Sequence, residues 1–280
     1  MDSPWLTLGP EASVDLQMHT TFSDGKWTAE ELLDYVAGEG FALVAVTDHD
    51  QVAASAEVRR LGAERGVATL LAAELSSELD GVLLDLLCFG FDPARGTLEA
   101  IGAETRRGQL ENLQETYATL LRQGYKLPSA DEVAARGGSL RDIHDIAALL
   151  REGGYTTGLG EIVDKAGFRW ITAEPARILE AAHHDGAVCL IAHPGRGDGF
   201  CEFDAPALDR FRQVVPVDGL EVRHPSHSAE QVELFAAYAR EHGLLVSTGS
   251  DSHGKPDQMP IKYPAHISRD LLARLGVMVR

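Results

Sequence analysis

Ala42-Leu43-Val44-Ala45-Val46-Thr47-Asp48-His49-Asp50 is an apolar, β-rich run that passes without a turn into an acid, an imidazole and a second acid. A short continuous apolar run bounded by polar residues reads as a strand buried on both faces, as in parallel sheets. The polar end then draws the interest, because in α/β barrels function sits where strands finish and the following loops begin. Helical periodicity flanks this run over residues 28–38 and 53–65, and returns over 173–184 and 229–242. Similar apolar runs lie at 13–17, 67–73, 82–89, 188–192, 219–222 and 244–248. Strand and helix alternate, which predicts a parallel sheet or barrel in an α/β fold. His183 and His184 fall in the last turn of the 173–184 helix with Gly186 just beyond, and read as C-terminal caps.

The stretch 97–170 breaks this rhythm. It has helical periodicity over 106–123, 129–135 and 140–151 and no convincing strand, so it reads as a helical insertion lying over a barrel formed by residues 1–96 and 171–280. The chain of 280 residues is long enough for one such barrel. A formal net charge of −18 argues against a broad basic face for duplex DNA. It is compatible with a small anionic substrate, since bound cations invert the field inside a pocket. No apolar run approaches the roughly 20 residues of a membrane span, and the first twelve residues lack the pattern of a secretory signal; the expected location is cytoplasmic. Cys88, Cys189 and Cys201 have neither CxxC spacing nor an even count, and read as small buried residues.

The unusual residues fall at the ends of the runs. Gln17 and His19 leave the first strand on one side, with Ser23-Asp24-Gly25 in the next loop. Asp48, His49 and Asp50 follow the second, Glu74 ends the third, and Asp85 lies within the fourth. Ala192-His193-Pro194-Gly195-Arg196 closes the fifth, Glu221, Arg223 and His224 the sixth, and Gly249-Ser250-Asp251-Ser252-His253 the seventh. Imidazole and carboxylate suit zinc, manganese or iron, and one carboxylate can bridge two ions. Adjacent cations would lower the pKa of a bridging water and bind phosphoryl oxygens. Any one such histidine is more often a cap or a surface residue; several at equivalent strand ends need a common cause.

In these motifs the sequence resembles the PHP (polymerase and histidinol phosphatase) family. The residues concerned are Asp15-Leu16-Gln17-Met18-His19 through Ser23-Asp24-Gly25, Thr47-Asp48-His49-Asp50, Ala192-His193-Pro194-Gly195 and Gly249-Ser250-Asp251-Ser252-His253. The resemblance implies a distorted seven-stranded (β/α)7 barrel with two or three divalent ions. One ion would be held by His19, Glu74 and Asp251 with Gln17 where a histidine is usual. A second would share Glu74 and take His193, with Asp85 in place of histidine. A third would use Asp24, His49 and His253. The oxygen-rich replacements favour manganese or magnesium over zinc at those positions, with zinc and iron as the other metals the set could hold.

The insertion and the motif order resemble the branch that dephosphorylates nucleotide 3′,5′-bisphosphates or trims short RNA from its 5′ end. The resemblance gives His144, Arg196 and His253 catalytic or phosphate-binding roles. That branch's Arg-Pro before the insertion histidine is Asp142-Ile143 here, with Arg141 one place earlier. The expected partner is a small phosphorylated substrate, with no membrane and no obligate protein partner evident. The alternatives are a catalytically degenerate metal-binding module and a related C–N hydrolase. A neutral amide needs no cationic clamp, so Arg196 and His144 count against the last.

Overall fold

The computed structural model describes residues 4–280. Its strands are β1 (Leu6–Leu8), β2 (Ser13–Asp15), β3 (Leu43–Ala45), β4 (Ala68–Leu70), β5 (Ala72–Leu79), β6 (Val82–Phe89), β7 (Val188–Ile191), β8 (Gly219–Arg223), β9 (Leu245–Thr248), β10 (Tyr263–Pro264) and β11 (Val277–Val279). The helices are α1 (Ala29–Glu39), α2 (Ala54–Glu64), α3 (Thr97–Arg122), α4 (Ala130–Ala135), α5 (Ile143–Glu152), α6 (Leu159–Lys165), α7 (Pro175–His184), α8 (Ala205–Val214), α9 (Ala229–His242) and α10 (Arg269–Arg274). The chain divides into two compact units, Met1–Ala103 with Thr172–Arg280, and Glu104–Ile171.

The first unit is a mixed α/β structure. Its ladders are a four-stranded sheet ordered β10-β2-β3-β4, a five-stranded sheet ordered β5-β6-β7-β8-β9, and a β1-β11 pair. β2, β3 and β4 are parallel, as are β7, β8 and β9. The uniform alternation expected from the sequence fails between the third and fourth runs. There β5 and β6 form an antiparallel hairpin, and β6 is antiparallel to β7 as well. The cause is the Asp80-Gly81 turn, with φ of 52° and 81°. Two consecutive left-handed residues twist as the flanking strands do and close the tightest hairpin, so no helix is needed to cross over. The expected third strand also divides at Leu71, β4 pairing with β3 and β5 with β6.

Period-two burial covers both faces of the strands. Val14, Leu16, Leu43, Ala45, Leu70, Leu87 and Leu190 form one layer. Leu84, Leu86, Cys88, Cys189 and Ile191 form another with Ile178 and Leu179 of α7. Each buried leucine contributes roughly 1.5–3 kcal/mol. The three thiols are buried and free, as small apolar residues. His183 and His184 meet Asp218 and Asp185, each at 2.9 Å.

The second unit is helical, with Leu113, Tyr117 and Leu120 packed on Ile146, Leu150 and Val163. Among the described residues no helix is long and apolar enough to cross a membrane.

Candidate metal centre

The loop after β2 is held closed by Asp48. Its carboxylate accepts from the Thr20 amide, the Thr20 hydroxyl and the Ser23 hydroxyl, each at 2.7 Å. Gly25 then lies so close to the chain that a Cβ there would stand 2.5 Å from the His19 carbonyl oxygen. Only glycine fits, and this tight loop carries His19 and Asp24 towards the same point. On the far side, Asp251 and His193 have φ of 51° and 28°, conformations that cost of order 1–3 kcal/mol each and persist where function needs the side chain re-aimed.

Glu74 stands at the centre and is fully buried. Its Oε1 lies 3.1 Å from His193 Nε2, and its Oε2 lies 3.1 Å from His19 Nε2 and 3.9 Å from His49 Nε2. His19 Nε2 is also 3.0 Å from Asp251 Oδ1. Neither carboxylate lies along the direction in which a ring N–H would point, so this buried nitrogen has no hydrogen-bond partner. An imidazole nitrogen held between two carboxylates is the arrangement a cation needs. His253 is prepared in the same sense. Its Nδ1 lies 2.8 Å from the Asp251 carbonyl, which only accepts, so in the neutral ring the lone pair is on Nε2, 2.9 Å from Asp24 Oδ2.

Three groups of potential ligand atoms, each mutually within 4.8 Å, overlap here: His19, Asp24, His49 and His253; His19, Glu74 and Asp251; and His49, Glu74 and Asp85. His193 Nε2 adds a contact of 3.6 Å to Asp85 Oδ2. The rings of His49 and His253 stack on His19 with centroids 4.7 and 4.4 Å away. Buried atoms without partners concentrate in the same place: Gln17 Oε1, His49 Nδ1, Asp85 Oδ2, His193 Nδ1, Glu221 Oε1 and His224 Nε2. Buried polar atoms are normally satisfied, so such a cluster marks a place for bound ions or ligand atoms. The donor set of imidazoles and carboxylates suits divalent metals.

The electrostatics agree. Burial would raise Glu74, yet the His49 charge and the contacts from His19 and His193 hold it well below the usual carboxylate range. Asp251 and Asp24 are held low in the same way against burial, chiefly by His19 and His253 respectively. Burial opposes protonation of His19, but Asp251, Glu74 and Asp24 raise it well above an ordinary imidazole, so a proton there serves the carboxylates as a cation would. Asp85 goes the other way. Burial first, then the charge of Glu74, pushes it well up, with Arg196 opposing. Glu221 is likewise raised by burial.

Of the sequence-selected residues, the structure brings together His19, Asp24, His49, Glu74, Asp85, His193, Asp251 and His253. Gln17 is present too, but turned: its Nε2 donates to both Glu74 oxygens at 3.0 Å. Coordination through Oε1 requires the amide to rotate, which sets oxygen against carboxylate and is stable only with a cation between them. Arg196 stands in the loop after β7 with its guanidinium 4.2 Å above the Phe200 ring. His144 belongs to the helical unit, exposed in the first turn of α5, where its amide donates to Asp142. His227 went unselected. It accepts from the Gly195 amide at 3.2 Å and donates to the Val222 carbonyl at 3.0 Å, clamping the His193–Arg196 loop. Its sequence signal was only proximity to His224.

The 3′,5′-nucleoside bisphosphate phosphatase of Chromobacterium violaceum is 30% identical over 262 residues, covering 86% of this chain and 87% of that protein. The chain belongs to the PHP family of metal-dependent phosphoesterases. The Escherichia coli 5′-3′ exoribonuclease Rnm is 30% identical over 255 residues, 85% of this chain and 84% of its own. A Bifidobacterium adolescentis crystal structure, described as a metal-dependent phosphoesterase, superposes with a TM-score of 0.78 at 26% identity, covering 98% of both chains. No family model matches the chain, so membership rests on these relatives along most of its length. The PHP chain is accordingly a hydrolase of phosphoric esters.

Proposed function

We propose that this PHP enzyme removes phosphate from nucleotide 3′,5′-bisphosphates or cleaves at the 5′ end of short RNA. The observation that carries the reading is His19 Nε2, buried without a hydrogen-bond partner between Glu74 and Asp251, amid three overlapping ligand groups. The substrate class is taken from relatives that act on a nucleoside bisphosphate and on RNA.

In this reading His19, Glu74 and Asp251, with Gln17, hold one divalent cation. Asp24, His49 and His253 hold another, and Glu74, Asp85 and His193 a third. The ions, when bound, supply an activated water and neutralise phosphoryl oxygens. The chain's own part is to aim these ligands, and Arg196 meets the substrate phosphate. Manganese or magnesium is favoured by the oxygens of Gln17 and Asp85. A seven-stranded distorted barrel is supported by the Leu16 amide, which donates to the Thr248 carbonyl at 3.1 Å, and by the Asp251 amide, which donates to Gln17 at 3.0 Å, joining the β9 end to the β2 end. The free, adjacent thiols of Cys88 and Cys189, 3.9 Å apart, suit a reducing, cytoplasmic setting.

The test is turnover by manganese-loaded protein of adenosine 3′,5′-bisphosphate, a mononucleotide, p-nitrophenyl phosphate and 5′-phosphorylated short RNA, with metal counted by plasma mass spectrometry. Release of phosphate or nucleotide is expected. A protein that carries metal yet is inert on every substrate overturns the reading in favour of a metal-binding module. The role of His144 is tested apart: His144→Ala should lower kcat/KM with metal content unchanged, and an unaffected enzyme removes it.

A further inference from the structure

We propose that His224 is a further catalytic residue of this centre, a neutral imidazole whose Nε2–H donates a hydrogen bond to a phosphoryl oxygen of the substrate. Strand alternation alone would send His224 away from the centre. Glu221 faces inward and Val222 outward, so Arg223 should face in and His224 out. Instead β8 carries a bulge: Glu221 pairs with Ser247 and Arg223 with Thr248, two steps on one strand against one on its neighbour. Such an extra residue reverses the parity of the positions after it and re-aims a side chain. Arg223 is exposed as a result, and the His224 side chain retains only 5% exposure.

The tautomer follows from hydrogen bonding. The Ser226 amide donates to His224 Nδ1 at 3.1 Å, and the Ser226 hydroxyl lies 2.7 Å from the same nitrogen. A backbone N–H can only donate, so the lone pair is on Nδ1 and the proton on Nε2. A neutral imidazole has one lone pair, and Ser226 has taken it. His224 is therefore excluded as a metal ligand and left as a donor, the reverse of His253. Its Nε2 is buried without a hydrogen-bond partner. It lies 3.4 Å from Asp251 Oδ2, off the line of a bond, and its ring is 5.2 Å from that of His193. A fixed donor beside two residues read as ligands is placed to meet an anion bound to the same ions. Donors held rigid in advance act where charge develops on oxygen.

The inference rests on the phosphoesterase reading, and wild-type turnover tests that reading separately. In manganese-loaded protein, His224→Leu should lower kcat/KM for p-nitrophenyl phosphate by roughly a hundredfold and weaken inorganic phosphate measured by calorimetry, with metal content unchanged. His224→Gln sets an amide nitrogen near Nε2 and should recover at least about tenfold. A His224→Leu enzyme within threefold of wild type, or one that loses metal together with activity, overturns the proposal. The second result would show that His224 acts only through Asp251. If His224→Leu does not fold, 15N-histidine labelling of magnesium-loaded wild type decides. His224 should show an unprotonated Nδ1 and an Nε2–H whose shift moves on adding phosphate; a proton on Nδ1 or an unmoved Nε2 overturns it.

Discussion

Glu74 and Asp251 reach His19 from two sides, but they do not carry equal risk when altered. Glu74 is fully buried among histidines, so removing it strands several nitrogens at once. Asp251 is the more informative substitution. Asp251→Ala should abolish phosphate release and lower the metal count, and unchanged stoichiometry would refute its role as a ligand. Arg196→Ala makes the contrast. It should raise KM or lower kcat on phosphate esters while metal content stays normal, if the guanidinium resting on Phe200 meets substrate as proposed. Gln17 tests the chain's own departure from its family. An imidazole there would give up the two bonds to Glu74 and offer a lone pair, so Gln17→His should tighten manganese by roughly tenfold or more. A competition titration showing no change would mean that position 17 does not ligate. These residues were readable in the sequence because each stands where an apolar run meets polar residues. The orientation of the Gln17 amide was not, since it depends on how Glu74 is shared.

At the scale of elements, legibility divides by the range of the signal. β3, β7 and β9 were plain because an apolar run and its polar end are local. The β5–β6 hairpin had a local signal as well, Asp80-Gly81, but helix-strand alternation on either side masked it. The bulge in β8 had none: nothing in Glu221-Val222-Arg223 marks it, and only pairing with β9 creates it. The clamp from the segment leading into α9 has a measurable consequence. Burial, opposed by the bond to the Val222 carbonyl, lowers His227 from 6.5 to about 4. The folded protein thus binds fewer protons than the unfolded chain between those values, and stability gained above about pH 6.5 is lost as pH falls towards 4. Thermal midpoints of wild type and His227→Gln, both in chelator, should converge at pH 4 and separate with rising pH until pH 7. A constant offset across that range would show that the clamp does not titrate.

Across the whole chain, a small part of the acidity stands where it costs most. The net charge is −18, and Asp24, Glu74, Asp85 and Asp251 share one buried centre in the first unit. Without cations their repulsion is relieved by protons, on His19 and on Asp85, both of which titrate above their ordinary range. Cations must displace those protons, so metal affinity should rise with pH as His19 and Asp85 give them up. Binding to the folded state alone also stabilises it, by about 2.7 kcal/mol at a hundred times Kd, or roughly 5 °C for a chain of 280 residues. Calorimetric scans should show the midpoint climbing with manganese, returning with chelator, and climbing further at pH 8 than at pH 6. The Asp251→Ala protein should respond much less, having lost a ligand while shedding one buried charge. Were the wild-type midpoint indifferent to manganese and magnesium at either pH, the convergence of these carboxylates would have to be explained by protons on His19 and Asp85 alone.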